Sequence, residues 1–134
     1  MRKIIFQLFL IIISTNSFAQ NADSIYNKVD TAASFPGGEK KWEQYLVANL
    51  NPAVTVNNGA PAGTYTVVIQ FVVHKNGEIS DIRPLTNHGY GMEAEALKMI
   101  KKGPKKWIPA ILDGGKVDSY KKQPITFQVS YGID

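Results

Sequence analysis

Residues 65–81, YTVVIQFVVHKNGEISD, decide the fold of this chain. From Tyr65 to His74, apolar residues fall on both faces of an alternating pattern, which is typical of a central β-strand. Asn76 and Gly77 follow, and both tolerate the positive φ angles that tight hairpin turns require. The stretch therefore predicts a β-hairpin whose first strand lies inside a sheet.

The return strand of this hairpin, Glu78 to Leu85, is polar and irregular. Pro84 has no N–H to donate to a neighbouring strand, and Asp81 and Arg83 place charges beside it. Charges and prolines of this kind discourage pairing with a further strand. The pattern therefore predicts an edge strand and favours a bulge in it.

The last predicted strand covers Pro124 to Tyr131. Its apolar residues alternate with small polar ones, so one face is expected to be buried and the other to be wet. It carries no charge from Gln123 to Gly132, and its single proline stands at its predicted start. Its edge is therefore expected to offer an unbroken row of backbone donors and acceptors.

Two helices are predicted from apolar residues at helical spacing, one from Glu39 to Leu50 and one from Met92 to Lys102. Asn51-Pro52 ends the first helix, and a loop is expected at residues 57–63. The apolar stripes consist of Trp42, Tyr45, Leu46 and Leu50 in the first helix and Met92, Ala96, Met99 and Ile100 in the second.

The order helix, strand, strand, helix, strand predicts an α+β fold, with two helices packed on one face of a three-stranded antiparallel or mixed sheet. If the second helix crosses from the edge strand to the last strand, the sheet order is 2-1-3, a split βαβ arrangement. A two-layer domain has one core, so its large apolar residues should meet there. The residues expected to be buried together are Trp42, Phe71, Leu97 and Phe127.

Residues 1–19 are predicted to be a cleavable secretory signal, which implies a periplasmic protein. Arg2 and Lys3 precede an apolar stretch from Ile4 to Ile13, and small residues at Ser17 and Ala19 indicate cleavage before Gln20. An uncleaved inner-membrane anchor is the alternative. A membrane-spanning helix needs about twenty apolar residues, and this stretch is shorter.

The mature chain is expected to consist of a polar lead segment, residues 20–34, and one domain, residues 35–134. It contains no cysteine, which excludes disulfides and thiolate metal sites. The formal net charge of the whole sequence is only +4, which does not favour a nucleic acid as partner.

One glycine motif has the spacing of a dinucleotide-binding loop: Gly89-x-Gly91-x-x-Ala94 stands after a strand and before a helix, with Asp113 further on. The preceding strand belongs to a hairpin, however, and no parallel strand follows at once. A tight turn is therefore the favoured interpretation, and no cofactor is expected.

No catalytic or metal site is predicted either. His74 and His88 are the only histidines, and the sequence brings no third ligand to them. Glu93 and Glu95 lie two positions apart on a helix and therefore point in different directions. No set of nucleophile, base and orienting residue can be named, so an enzyme is not favoured. The basic residues Lys101, Lys102, Lys105 and Lys106, next to Trp107, are interpreted as a solvated helix end, with no nucleic acid bound.

Several motifs, taken in order, resemble the TonB C-terminal domain family over residues 25–129. The first helix is preceded by Phe35-Pro36-Gly37-Gly38, and the hairpin core carries Lys75-Asn76-Gly77-Glu78-Ile79. The remaining motifs are Gly89-Tyr90-Gly91-Met92-Glu93-Ala94-Glu95-Ala96-Leu97, the stretch Pro104 to Pro109, Gly115 to Val117, and Pro124-Ile125-Thr126-Phe127. One departure is Asn51-Pro52, where the family usually has Tyr-Pro.

This resemblance implies a protein-binding module that takes part in or modulates energy-coupled transport. Its expected partner is a TonB-dependent transporter of the outer membrane or another envelope protein, whose extended segment is added to the sheet as a strand. The resemblance points to the last strand as the site, at Pro124, Ile125, Thr126, Phe127, Gln128, Val129 and Ser130. The alternative is a structural protein that self-associates, as a homodimer, through the same edge.

Overall fold

The computed structural model describes residues 24–132. The helices are α1 (Glu39–Asn49), α2 (Ala53–Asn57) and α3 (Met92–Lys102). The strands are β1 (Gly63–Val73), β2 (Ile79–Pro84), β3 (Ala110–Leu112), β4 (Gly115–Val117) and β5 (Ser119–Val129). The predicted signal, residues 1–19, and the first residues of the predicted lead lie outside the described residues.

The main sheet has the strand order β2-β1-β5, which confirms the predicted 2-1-3 arrangement. Both outer strands run antiparallel to β1, so β2 and β5 are parallel to each other and α3 lies between them in the chain. The α+β class is likewise confirmed. β1 pairs with β5 along its entire length, from Gly63 opposite Val129 to Val73 opposite Ser119.

The helices and the sheet share one apolar core. Phe71 is completely buried, and its ring lies 4.9 Å from that of Trp107, which in turn lies 6.0 Å from Trp42. The predicted burial of Trp42, Phe71 and Phe127 is confirmed, whereas Leu97 is partly buried against the same cluster. Tyr45 ties α1 to α3 by donating a hydrogen bond of 2.7 Å to the Met99 carbonyl.

The predicted hairpin turn joins β1 to β2. Gly77 has a φ angle of 89°, and a Cβ atom there would lie 2.6 Å from the carbonyl oxygen of Trp107. The turn therefore needs glycine for two reasons, the backbone conformation and the close approach of another segment.

β2 contains the irregularity that its sequence favours. Gln70 pairs with Arg83 and Val72 pairs with Ser80, so two residues of β2 stand opposite Phe71. Asp81 in this interval has a φ angle of 52°, in the left-handed region. The strand therefore carries a β-bulge at Asp81.

Three short elements were not predicted: the helix α2 and the strands β3 and β4. The short helix α2 follows directly after Pro52, where Asn51 Oδ1 accepts the N–H of Ala53 at 3.2 Å. Its five residues are too few to show helical periodicity. The β3–β4 hairpin is not visible in the sequence, because strands of three residues leave almost no alternating pattern.

The predicted start of the last strand at Pro124 is wrong. β5 begins at Ser119, so Pro124 is its sixth residue and lies in the middle of the strand. The pairing with β1 extends β5 backward through Lys121 and Lys122, whose charges made this stretch resemble a connection. At the other end Ser130 lies beyond β5 and is exposed.

The described part of the lead segment packs on the rest of the domain through its backbone. Tyr26 forms a parallel bridge with Ser119 at the start of β5. Further along, Thr31 bridges to Ile111 and Ser34 to Ile108, both in antiparallel orientation. The lead is therefore part of the fold from Tyr26 onward.

Candidate partner-binding edge of the sheet

The pairing pattern determines which backbone groups of β5 face outward. In an antiparallel pair, alternate residues direct both their N–H and their C=O toward the partner strand. Leu85 donates its N–H to the Val68 carbonyl, so the even-numbered residues of β1 face β2 and its odd-numbered residues face β5. By the register, the odd-numbered residues of β5 bond to β1 and its even-numbered residues face outward.

The lead segment confirms this assignment. The N–H of Tyr26 donates to the Asp118 carbonyl at 3.0 Å, and the N–H of Tyr120 donates to the Tyr26 carbonyl at 3.1 Å. The two groups that Tyr26 contacts, the Asp118 carbonyl and the Tyr120 N–H, both belong to even-numbered residues. Among residues 24–132, no strand pairs with this edge of β5 beyond Tyr120.

The edge that continues from Lys122 to Gln128 is not an unbroken row of donors, which corrects the sequence-based expectation. Pro124 is even-numbered, so its nitrogen faces outward and has no hydrogen to donate. Proline is found in sheets where its nitrogen faces away from the neighbouring strand, and Pro124 satisfies that rule with respect to β1. The open edge has donors at Lys122, Thr126 and Gln128, and a gap between the first two.

The side chains of the predicted site divide into two groups. Ile125, Phe127 and Val129 are buried in the core, so they hold β5 in place rather than contact a partner. Pro124, Thr126 and Gln128 are exposed on the sheet face opposite the helices, where Thr126 Oγ1 lies 3.2 Å from Thr66 Oγ1. Ser130 is exposed beyond the end of the strand.

The opposite edge of the sheet is built differently. The register places Arg83 toward β1 and Pro84 away from it, so Pro84 also directs its nitrogen outward. β2 is shorter, is broken by the bulge at Asp81 and packs against α3. The prediction that this is an irregular edge strand is confirmed.

A cluster that the sequence did not suggest joins all three strands at the turn end of the sheet. His74 Nε2 lies 2.7 Å from Ser80 Oγ, and His74 Nδ1 lies 3.4 Å from Asp118 Oδ2. The other carboxylate oxygen of Asp118 accepts the N–H of Lys75 at 2.6 Å. Only the paired register of the strands brings these residues together, so no sequence signal could have found them.

The same three residue types form the triad of serine hydrolases, but the geometry here favours a structural role. The separation of 3.4 Å between His74 and Asp118 exceeds that of a normal hydrogen bond. Asp118 instead makes its short contact with the turn at Lys75. The cluster therefore fastens the β1–β2 turn to the start of β5.

The glycine motif before α3 is a turn, as the sequence favoured. Gly89 and Gly91 have φ angles of 80° and 77°, and the N–H of Gly89 donates to Glu93 Oε1 at 2.7 Å. Glu95 points elsewhere and accepts the N–H of Asn51 at 2.8 Å. The N–H of Met92 donates to the Gly89 carbonyl at 3.0 Å, so the segment closes on itself as a turn at the start of α3.

The remaining candidate residues stay apart. His88 Nε2 lies 2.9 Å from the Thr66 carbonyl oxygen, far along β1 from His74. Within the described range 24–132, no three His, Asp or Glu side chains are placed to hold a metal ion. Trp107 is buried, while the lysines around it, Lys101, Lys102, Lys105 and Lys106, are exposed.

The fold and its open strand define a small α+β domain of the split βαβ type. Residues 64–129 match the family described as Gram-negative bacterial TonB protein C-terminal. The match begins at the second residue of β1 and ends at the last residue of β5, so it contains all of the main sheet except Gly63. The chain therefore carries a domain of the TonB C-terminal family, a protein-interaction domain of energy-coupled transport in the periplasm.

Searches of curated proteins and of solved structures gave no match to this chain. None of the helices within residues 24–132 has the length and apolar character required to cross a membrane.

Proposed function

We propose that this chain is a periplasmic binding module that receives an extended segment of an outer-membrane transporter as an added strand on β5. One observation carries the proposal: β5 is regular over eleven residues, and its outer edge beyond Tyr120 is unpaired within the described chain. Strand addition uses such an edge, because the main chain supplies the hydrogen bonds whatever the partner's side chains are.

Local charge and burial support β5 over β2 as the docking strand. From Gln123 to Val129 the strand carries no charge, so a partner backbone approaches without desolvating an ionised side chain. Buried side chains at Ile125 and Phe127 keep the strand rigid, which lowers the entropic cost of binding. By contrast, β2 exposes Asp81 and Arg83 and is kinked by its bulge.

The expected affinity is weak to moderate. Each backbone hydrogen bond contributes about 0.5 to 1.5 kcal/mol net, and ordering of the peptide opposes this gain. Pairing along half of β5 therefore corresponds to a dissociation constant on the order of micromolar.

Backbone amide NMR tests the proposal. The mature chain is titrated with a synthetic peptide covering the N-terminal box of an outer-membrane transporter from the same genome. We expect the largest shifts between Ile125 and Ser130. Shifts concentrated between Ile79 and Leu85, or none at millimolar peptide, would rule out this site.

The competing function is self-association through the same edge, with two copies of β5 side by side. Sedimentation of the mature chain without peptide separates the two. A monomer that binds the peptide supports the transporter module, whereas a dimer that dissociates before the peptide binds supports an assembly role.

The proposed location depends on removal of residues 1–19. A mature protein that begins at Gln20 is expected in the fraction released by osmotic shock, and intact-mass measurement identifies its first residue. Recovery only with membranes, with Met1 or Arg2 retained, would instead indicate the anchored alternative.

A further inference from the structure

We infer that Pro124 divides the edge of β5 into two sections, one used by the chain's own lead segment and one left for the partner. This inference rests on the proposed function, because it assigns the register and the length of the partner strand at the same site. It concerns a residue whose position in the middle of the strand was not apparent from the sequence.

The first section of the edge is occupied by the chain itself. Tyr26 pairs with Asp118 and Tyr120 in the parallel sense, donating to one residue and accepting from the next outward-facing one. The lead then leaves the edge, since Asp30 and Thr31 both donate to the Ile111 carbonyl. The start of this edge thus forms one bridge of the parallel type with the lead.

A strand continuing along β5 in the same sense meets the gap at Pro124. Each bonding residue of a parallel strand donates to one outward carbonyl and accepts from the outward N–H two positions further on. The residue of the added strand that lies beside Gln123 would have to accept its hydrogen bond from residue 124. Pro124 has no N–H, so the carbonyl of that residue finds no donor. An amide carbonyl held there without a partner is unfavourable.

Beyond Pro124 the ladder is complete again. The Pro124 carbonyl already accepts a hydrogen bond from Gln123 Nε2 at 3.3 Å and keeps a second lone pair for a partner. The Thr126 carbonyl accepts as well, and the N–H groups of Thr126 and Gln128 donate, so a short partner strand satisfies all of its inward groups there. Lys122 stays outside this section. The partner that fits is a short extended segment, because the continuous ladder beyond Pro124 ends at Val129.

Pro124 therefore has two effects that a residue with an N–H would lack. It fixes the partner's register by ending the ladder at one position, and it prevents a second copy from pairing along the whole edge. Its nitrogen takes no part in the pairing with β1, so the residue can be replaced without removing a bond inside the sheet.

The test uses Pro124→Thr, which restores the missing donor. In the mature chain we expect this variant to bind the synthetic transporter-box peptide about two- to tenfold more tightly, the value of one added hydrogen bond. Its NMR shifts should also extend back to Lys122, whereas those of the unmodified chain should stop at Pro124.

Pro84→Thr is the matched control, because Pro84 also directs its nitrogen outward but on the opposite edge. We expect it to leave the affinity and the shift pattern unchanged. Thr126→Pro is the second control, since it removes an outward donor from the partner's section. It leaves one carbonyl of the peptide without a donor, so it should weaken binding by at least about fivefold, while its circular dichroism shows a folded domain.

The outcomes separate the two proposals. If the peptide binds to β5 but Pro124→Thr changes neither its affinity nor its footprint, the role of Pro124 is wrong and the docking site stands. If Thr126→Pro binds as well as the unmodified chain, or no form binds at millimolar peptide, the docking site itself is wrong.

Discussion

The two outer strands of the sheet, β2 and β5, pair with the same central strand and still differ as edges. Each has a proline whose nitrogen faces outward, Pro84 in one and Pro124 in the other. β2 has six residues, a bulge and a helix packed against it, whereas β5 has eleven residues in continuous register. The bulge and short length of β2 thus discourage pairing along its whole edge, whereas Pro124 interrupts the edge of β5 at one position and leaves the rest able to pair.

The loop after β2 extends this difference. Leu85 donates to the Val68 carbonyl at 2.8 Å, and His88 Nε2 lies 2.9 Å from the Thr66 carbonyl oxygen. Loop residues therefore occupy acceptors of β1 where β2 has already ended. On the β5 side, among residues 24–132, only Tyr26 occupies outward-facing backbone groups, and it does so at the start of the strand.

The largest loss of stability is expected when a core residue is replaced in β1, the strand with which both β2 and β5 pair. Phe71→Ala should lower the free energy of unfolding by about 3 to 5 kcal/mol, because Phe71 is completely buried against Trp107. Urea denaturation measures this loss. Thr64→Ala, at an exposed position of the same strand, should cost less than about 0.5 kcal/mol. Equal losses would mean that β1 is not the common support of the two edges.

A smaller loss is expected at the cluster that fastens β5 to the turn. Asp118→Ala leaves the Lys75 N–H without its acceptor and removes the contact with His74, so it should cost about 1 to 3 kcal/mol. Asp118→Asn keeps an acceptor oxygen and should recover part of the loss. Thermal unfolding of both variants checks this; no difference between them would assign the effect to packing alone.

The lead segment is expected to contribute less again. Tyr26→Pro removes the N–H that donates to Asp118 and should destabilise the start of β5 by about 1 kcal/mol. Hydrogen exchange reports it directly, through faster exchange of the Tyr120 amide. Tyr26→Ala keeps the backbone bond and should leave that amide protected. Fast exchange in the unmodified chain would show that the lead does not hold this edge in solution.

The smallest effect should be a gain at the bulge of β2. Asp81 has a left-handed φ of 52°, a conformation that glycine adopts at lower cost. Asp81→Gly should therefore stabilise the domain by about 0.5 kcal/mol, and Asp81→Val should destabilise it by about 1 kcal/mol or more. Chemical denaturation of both variants decides the sign. A loss in both would mean that the Asp81 side chain supports the bulge.

The sequence predicted the parts of the fold that have a long periodic pattern. α3 lies at the predicted bounds, Met92 to Lys102, and α1 ends one residue before its predicted end. The alternating residues of β1 predicted its central place. By contrast α2, β3 and β4 are too short for a period to appear, and their conformation depends on contacts from other segments.

The candidate site was predicted only in part, for a related reason. The alternating pattern located the buried residues Ile125, Phe127 and Val129, because buried strand positions are occupied by apolar residues. It did not locate the start of β5. Lys121 and Lys122 belong to the strand because they pair with β1, and not because lysine favours strand conformation. Whether the Pro124 nitrogen faces β1 or the open edge depends on the register between β5 and β1, which the sequence of one strand alone does not determine.

The pairing of β1 with β5 also governs how the domain assembles. Gly63 bonds across to Val129 at the far end of the sequence, and every contact between these strands spans a long intervening chain. Such contacts form only after a large loop has closed, so they slow folding, whereas the β1–β2 hairpin and α3 require only short loops. We therefore expect β5 to be the last strand incorporated during folding. Until it docks, β1 presents a second unpaired edge, and the folding chain is most vulnerable to misassembly in that interval.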